Sequence, residues 1–437
     1  MSDILKIFLK LGQEDTNEEV SFQVMKSVYE TLDEYQKERF FKNIIERIEI
    51  SVEDLQPLLD ELSDCSKDNP NLPGVLSELR SHIVSPRLNI FRKISRLPGG
   101  LKFLLDFRGD LLSIQRFSQS NLKPLESDLT LLFELWFQEG FVYLEEITLD
   151  SSYRQIELIK KSDLVHPMNS IEEMGQRLGR DRRCFALYHR LIPYEPIIFI
   201  EVALSKGILR NIADIINRDK NRTEEKDADT AIFYSINNTQ NGLTGLGMGK
   251  MLIGQVVDYL KEDNEKIKKF ATLSPLPGFW KRYFKPILEG KDEPFILKHM
   301  DVVSYFFKKQ QEKIMAYAGL QEFNTEQLNA SLLSILSDES WSENKELRES
   351  LHDPLVKVAY TYISKEKNLK NKPLNPVANF HLGNEATVSL KNVNFLGNPT
   401  SKGLDESCGI MVNYIYTSGW LARIQRSLKR FGKMEVT

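Results

Sequence analysis

Ala-Ile-Phe-Tyr-Ser-Ile (231–236) leads into glycines at 242, 245, 247 and 249, then a run carrying Met248, Met251, Leu252, Val256, Tyr259 and Leu260, and finally Phe-Ala-Thr-Leu-Ser (270–274). The first and last pieces are rich in β-branched and aromatic residues and read as strands. The middle piece repeats its apolar residues at helical spacing. Strand, glycine loop, helix and strand in this order predict an α/β core. They also predict an anion site, because free N–H groups at a helix start point at a phosphate and the helix dipole favours negative charge. The loop is neither a Walker A sequence, since Met251 follows Gly249-Lys250, nor a dinucleotide fingerprint, since Gly245, Gly247 and Gly249 alternate. Close packing of helix on strand would also account for such glycines.

Ser274 closes the second strand and precedes Pro275, which pushes its backbone into extended conformations. Pro277 and Gly278 punctuate the turn beyond it. Upstream, residues 184–189 and 197–204 form two β-rich runs joined by a longer loop, a hairpin signal. Ser170 with Glu173 caps a short helix over 171–178, a basic turn follows at 179–183, and the charged stretch 217–229 reads as a surface loop.

Residues 18–138 read as helices almost throughout, a bundle of about 140 residues. Val20, Val24, Val28 and Leu32 form one expected core stripe, and Phe41, Ile44, Ile45 and Ile48 another. Ser51 is an expected N-cap, residues 68–74 a breaker, and Leu129 to Phe137 another helix. In residues 97–112, Leu101, Leu104, Leu105, Leu111 and Leu112 face a core, while Lys102, Asp106, Arg108 and Asp110 read as a solvated charged face. Helical character returns at 290–365, β-rich runs are expected at 377–390 and 409–416, and a terminal helix carries a solvated basic cluster from Arg423 to Lys433.

A chain of 437 residues predicts more than one domain. The formal net charge of −4 offers no global attraction to nucleic acid or anionic membrane. Cys65, Cys184 and Cys408 lie far apart, which favours a reducing compartment over a disulfide framework, and the six histidines never adopt HxxxH or HExxH spacing, so no metal centre is expected. No apolar run reaches membrane-spanning length, and acidic residues soon after Met1 fit no leader; a cytoplasmic protein with no membrane partner is the simplest expectation.

The second chemical residue lies in Pro376-Val377-Ala378-Asn379-Phe380-His381-Leu382, read as a strand with Asn379 and His381 on one face. Imidazole titrates near neutrality and suits proton transfer. A satisfied core histidine is the commoner alternative.

Leu-Pro-Gly-Gly-Leu-Lys-Phe-Leu-Leu-Asp-Phe-Arg (97–108), Val-His-Pro (165–167), Thr-Gln-Asn-Gly-Leu (239–243), Leu-Ser-Pro-Leu-Pro-Gly-Phe (273–279), Leu-Asn-Pro-Val-Ala-Asn-Phe-His-Leu (374–382) and Ser-Cys-Gly-Ile-Met-Val-Asn-Tyr (407–414) resemble the malonyl-CoA decarboxylase family, in family order across residues 90–416. The resemblance implies a multidomain α + α/β protein. A helical bundle at 1–140 would precede an acetyltransferase-like (GNAT) α/β catalytic domain with helical insertions at 141–437. It implies a CoA pyrophosphate at the loop of Gly242, Gly245, Gly247 and Gly249, and it matches Ser274, His381 and Tyr416 to catalytic positions.

The implied reaction converts malonyl-CoA to acetyl-CoA and CO2, with Ser274 holding the carboxylate and His381 protonating the enolate; a covalent route through Ser274 is also open. CoA is part of the substrate, so no cofactor is expected, and a homo-oligomer, dimer or tetramer, is implied. An acyl-CoA-dependent acyltransferase is the alternative reading. Three departures stand out: Gly247 replaces a frequent acidic residue, Leu149 a usual Trp, and Glu385 a common glycine.

Overall fold

The computed structural model describes residues 2–12, 17–50, 52–64, 72–138, 140–163, 165, 170–179, 181–216, 224–320 and 324–417. The expected Ser51 cap, the start of the 68–74 breaker, residues 217–223 and the basic terminal helix lie outside them. The first half is helical: α1 (Ser2–Lys10), α2 (Glu18–Glu30), α3 (Glu34–Arg47), α4 (Val52–Asp64), α5 (Leu72–His82), α6 (Pro86–Arg96), α7 (Gly100–Gln115) and α8 (Lys123–Trp136). Helix α3 starts at a full capping box between Asp33 and Gln36.

In α2 the buried stripe is Phe22, Met25 and Tyr29, whereas Val20, Val24 and Val28 are exposed. Both stripes have helical spacing. The aromatic one wins because larger rings bury more apolar area, and Tyr29 packs 5.3 Å from both Phe103 and Phe107 of α7.

The second half is built on a six-stranded sheet ordered β1-β2-β3-β4-β5-β9. Its strands are β1 (Val142–Ile147), β2 (Arg182–His189), β3 (Ile198–Ser205), β4 (Thr230–Asn238), β5 (Lys269–Thr272) and, at the far edge, β9 (Ile415–Tyr416). The predicted hairpin is β2 and β3, paired antiparallel and buried along their whole length. Short helices α9 (Tyr153–Ser162), α10 (Ile171–Arg177) and α11 (Ala213–Ile216) punctuate the first strands, and Ser170 caps α10 as expected. Arg182 and Arg183 of the basic turn are buried, Arg183 bridging Glu146 and Asp263 at 2.6 Å each.

Helix α12 (Met248–Asp263) joins β4 to β5, the one parallel pair among the described strands, as a crossover requires. The rest of the chain holds helices α13 (Lys285–Leu288), α14 (Lys308–Tyr317), α15 (Thr325–Ser337), α16 (Lys345–Ser364), α17 (Pro376–Gly383) and α18 (Ser401–Ser407) and a small sheet. That sheet consists of β6 (Ser274–Pro275), β7 (Val393–Asn394) and β8 (Met411–Val412), in the order β6-β8-β7. One continuous core runs from Phe8 and Phe91 through Phe233 and Leu252 to Tyr414, so the helical and sheet regions are packed as one body. No helix among the described residues is long and apolar enough to cross a membrane.

The strand expected at 376–382 is helix α17 instead. Asn375 accepts the Ala378 N–H at 2.9 Å and Pro376 occupies the first turn, which together are strong helix-start signals. The alternation of Asn379 and His381 is coincidental: two residues apart on a helix they point to nearly opposite sides. The rest of the β-rich expectation at 377–390 reduces to one isolated bridge, Thr387 with Ile415.

Candidate active site

The parallel pairing of β4 with β5 ends at Phe233 and Thr272. Beyond that point the chain changes partners, since Ser274 and Pro275 pair with Val412 and Met411 of β8. Pro275 has no N–H to offer, so the second half of β4 is left open. The gap is a cavity of about 240 Å³ lined by apolar Ile198, Phe233, Val377 and Phe380 and by polar Ser235, Asn238, Ser274 and His381.

Ser274 sits at this junction, buried, with its side chain turned toward α17. Its Oγ lies 3.2 Å from His381 Nε2 and 2.9 Å from Thr272 Oγ1. On the other side of the ring, His381 Nδ1 lies 2.9 Å from the Tyr416 hydroxyl. Tyr414 stacks on the imidazole at 4.7 Å and Phe380 meets it edge-on at 4.9 Å. The Tyr414 N–H donates to Thr272 Oγ1 at 3.1 Å, anchoring the end of the chain of hydrogen bonds in backbone. A proton order satisfies every partner: Tyr416 O–H donates to Nδ1, Nε2–H donates to Ser274, and Ser274 O–H donates to Thr272.

Burial pushes the His381 pKa down to about 3, so the ring is neutral. Burial also raises the Tyr414 and Tyr416 phenols, which keeps them protonated donors. Behind the cavity wall, Ser235 donates to Asp163 at 2.9 Å, and Arg177 joins Asp163 at 3.0 Å and Glu201 at 3.5 Å. Burial, with Asp163 adding to it, lifts Glu201 to about 8.

Ser274, His381 and Tyr416, singled out from three distant stretches, are therefore in one hydrogen-bonded chain. The four glycines do two different jobs. A Cβ on Gly242 would collide with the Leu105 carbonyl, and one on Gly249 with the Phe380 ring, so these permit packing. Gly245 and Gly247 have φ of +87° and +74° with nothing within 4 Å of a Cβ, and they shape the open turn before α12. Glu385, at the common glycine position, adopts φ +62°.

Three contributors escaped the sequence reading. Thr272 was within reach, being two residues before Ser274 on an extended segment and thus on the same face. Tyr414 stands in the same relation to Tyr416. Arg108 carried no such signal: far from being solvated, it is 2% exposed and reaches the glycine loop.

Residues 140–435 match the family model described as the malonyl-CoA decarboxylase C-terminal domain, and residues 54–137 match that of its N-terminal domain. Among curated proteins, "Malonyl-CoA decarboxylase, mitochondrial" of Anser anser anser is 34% identical over 342 residues, 77% of this chain and 65% of that protein. The protein of the same name from Rattus norvegicus is 33% identical over 361 residues, covering 82% and 70%. The chain thus spans about two thirds of the length of these relatives. Among solved structures, malonyl-CoA decarboxylase from Rhodopseudomonas palustris aligns at TM-score 0.77 and 27% identity, covering 100% of this chain and 98% of that one. The one from Agrobacterium vitis aligns at 0.79 and 28%, covering 98% and 95%.

Proposed function

The chain belongs to the malonyl-CoA decarboxylase family, and from that premise we propose that it converts malonyl-CoA to acetyl-CoA and CO2 in the cavity beside Ser274 and His381. The observation that carries the reading is the hydrogen-bonded chain Tyr416–His381–Ser274 facing an apolar cavity.

Ser274 O–H turns from Thr272 to the malonyl carboxylate and holds it. The bond between the α-carbon and the carboxylate breaks, its electron pair moves into the thioester as an enolate, and CO2 leaves. A carboxylate in an apolar cavity is poorly solvated, and losing it as neutral CO2 relieves that penalty. The incoming carboxylate also raises the proton affinity of His381, which takes a proton from solvent and delivers it to the enolate carbon. Tyr416 fixes the orientation of the ring. Each backbone N–H placed to stabilise the enolate oxygen would contribute about 3 kcal/mol. The thioester is itself the electron sink, so the proposal requires neither metal nor organic cofactor.

CoA is proposed to lie along the glycine loop, with its pyrophosphate over the turn of Gly245 and Gly247 and the N-terminus of α12. The parallel β4/β5 pair that opens beside this helix supports an acetyltransferase-like reading of the sheet region. Buried free thiols at Cys184 and Cys408 suit a reducing, cytoplasmic setting. Association into a dimer or tetramer is expected as well, and light scattering giving a monomer mass would refute it.

Incubating the pure protein with malonyl-CoA and no acceptor should yield acetyl-CoA and CO2 in equal amounts. Folded protein that forms neither product would overturn the proposal, and turnover only when an acyl acceptor is added would point to an acyltransferase.

A further inference from the structure

Arg108 lies on α7, in the helical region, 134 residues before the loop it touches. Its guanidinium donates to the Gly242 carbonyl at 2.5 Å and the Thr244 carbonyl at 3.1 Å. The other terminal nitrogen donates to Thr130 Oγ1 of α8 at 3.1 Å and sits 3.6 Å from Glu126. Two further contacts are independent of this side chain. Gly242 lies so close to α7 that a Cβ there would strike the Leu105 carbonyl, and a Cβ on Gly109 would sit 3.5 Å from the Gly242 nitrogen. The first turn of the glycine loop is therefore seated backbone to backbone on α7, one helical turn spanning Leu105 to Gly109.

The orientation follows from peptide geometry. A trans peptide points its carbonyl and its N–H in opposite directions. Turning the Thr244 carbonyl toward Arg108 turns the Gly245 N–H away from α7, toward the open side of the loop where a phosphate would approach. A guanidinium is suited to this role because one terminal nitrogen donates to both loop carbonyls while the other, fixed in the same plane, is held by Thr130 of α8.

We propose that Arg108 is a positioning residue for substrate: from the helical region, it holds the glycine loop in the shape that receives the phosphates of CoA. The inference rests on the reading of the loop as the CoA phosphate site. It makes the helical region a working part of substrate binding, whereas the acyl end of the substrate, at Ser274 and His381, does not depend on Arg108.

The test compares malonyl-CoA with malonyl-pantetheine, which keeps the thioester and lacks the phosphates. In the wild-type protein, kcat/KM should favour malonyl-CoA; equal values, or turnover of neither, would overturn the phosphate-loop reading itself, and the Arg108 assignment with it. Arg108→Met should raise KM for malonyl-CoA by as much as about 100-fold, the scale of a misplaced binding group, with kcat within about twofold. Arg108→Lys should restore part of that loss, and kcat/KM for malonyl-pantetheine should stay unchanged in both. Equal losses on both thioesters, or none on either, would overturn the assignment. Should the variants fail to fold, hydrogen exchange in the wild-type protein decides: saturating CoA should slow exchange at 243–249 and at 105–109, and pantetheine at neither. Slowing confined to the loop would refute coupling to α7.

Discussion

Replacing His381 with alanine should lower kcat for malonyl-CoA by about 10²- to 10⁴-fold, the range for removal of a placed proton donor, while KM changes little. The ring is buried between Tyr414 and Phe380 and bonded at both nitrogens, so glutamine, which keeps a donor and some of the volume, is the better control for packing. Near-wild-type turnover by the alanine variant, with its fold intact, would remove His381 from the chemistry.

The same burial sets a pH signature. With the free-enzyme pKa pushed down to about 3, His381 is neutral from pH 5 upward, so kcat/KM should show no histidine limb near 6.5. An acid limb near 6.5 that disappears in His381→Gln would contradict this. The sign for stability follows from linkage. The folded pKa lies below the unfolded one, so the unfolded chain binds more protons between about pH 3 and 6.5. Stability from this group is then lost as pH falls through that window, by about 1.4 kcal/mol per unit.

Ser274→Ala should lower kcat/KM by about 10- to 100-fold, matching the loss of one hydrogen bond to a charged group, worth about 1.5–3 kcal/mol. The size of the loss discriminates between mechanisms. A serine that only holds a carboxylate leaves His381 and the cavity able to act, whereas a nucleophile leaves no path once removed. A loss beyond about 10⁴-fold, or a malonyl or acetyl adduct on Ser274 in rapidly quenched enzyme, would replace the noncovalent route with a covalent one. Melting temperatures belong beside both measurements, because the alanine also leaves His381 Nε2 and Thr272 Oγ1 short of a partner.

Ser274 was legible because its constraint is local. A proline at 275 restricts the preceding backbone, and the strand that ends there shows in five residues. The hairpin of β2 and β3 was legible for the same reason: continuous β-rich runs buried on both faces need no knowledge of their partners. His381 was identified through the block around it while its element was misread, because a two-residue alternation over seven residues cannot outweigh an Asn-Pro helix start. The exposed valines of α2 show the limit of periodicity, since two stripes shared one helix and the facing rings of α7 chose between them.

The sequence alone determined the helical run ahead of residue 138, the β2–β3 hairpin, the strand–loop–helix–strand unit and the residue types at 274, 381 and 416, since backbone preferences and spacing act over a few neighbours. Only the tertiary structure decided that Ser274, His381 and Tyr416 form one hydrogen-bonded chain, that Gly242 and Gly249 serve packing while Gly245 and Gly247 shape the open turn, and that Arg108 is buried against the loop. The reason is physical: such hydrogen bonds join residues up to 136 positions apart, and their existence and their desolvation arise only when separate elements close around a common core.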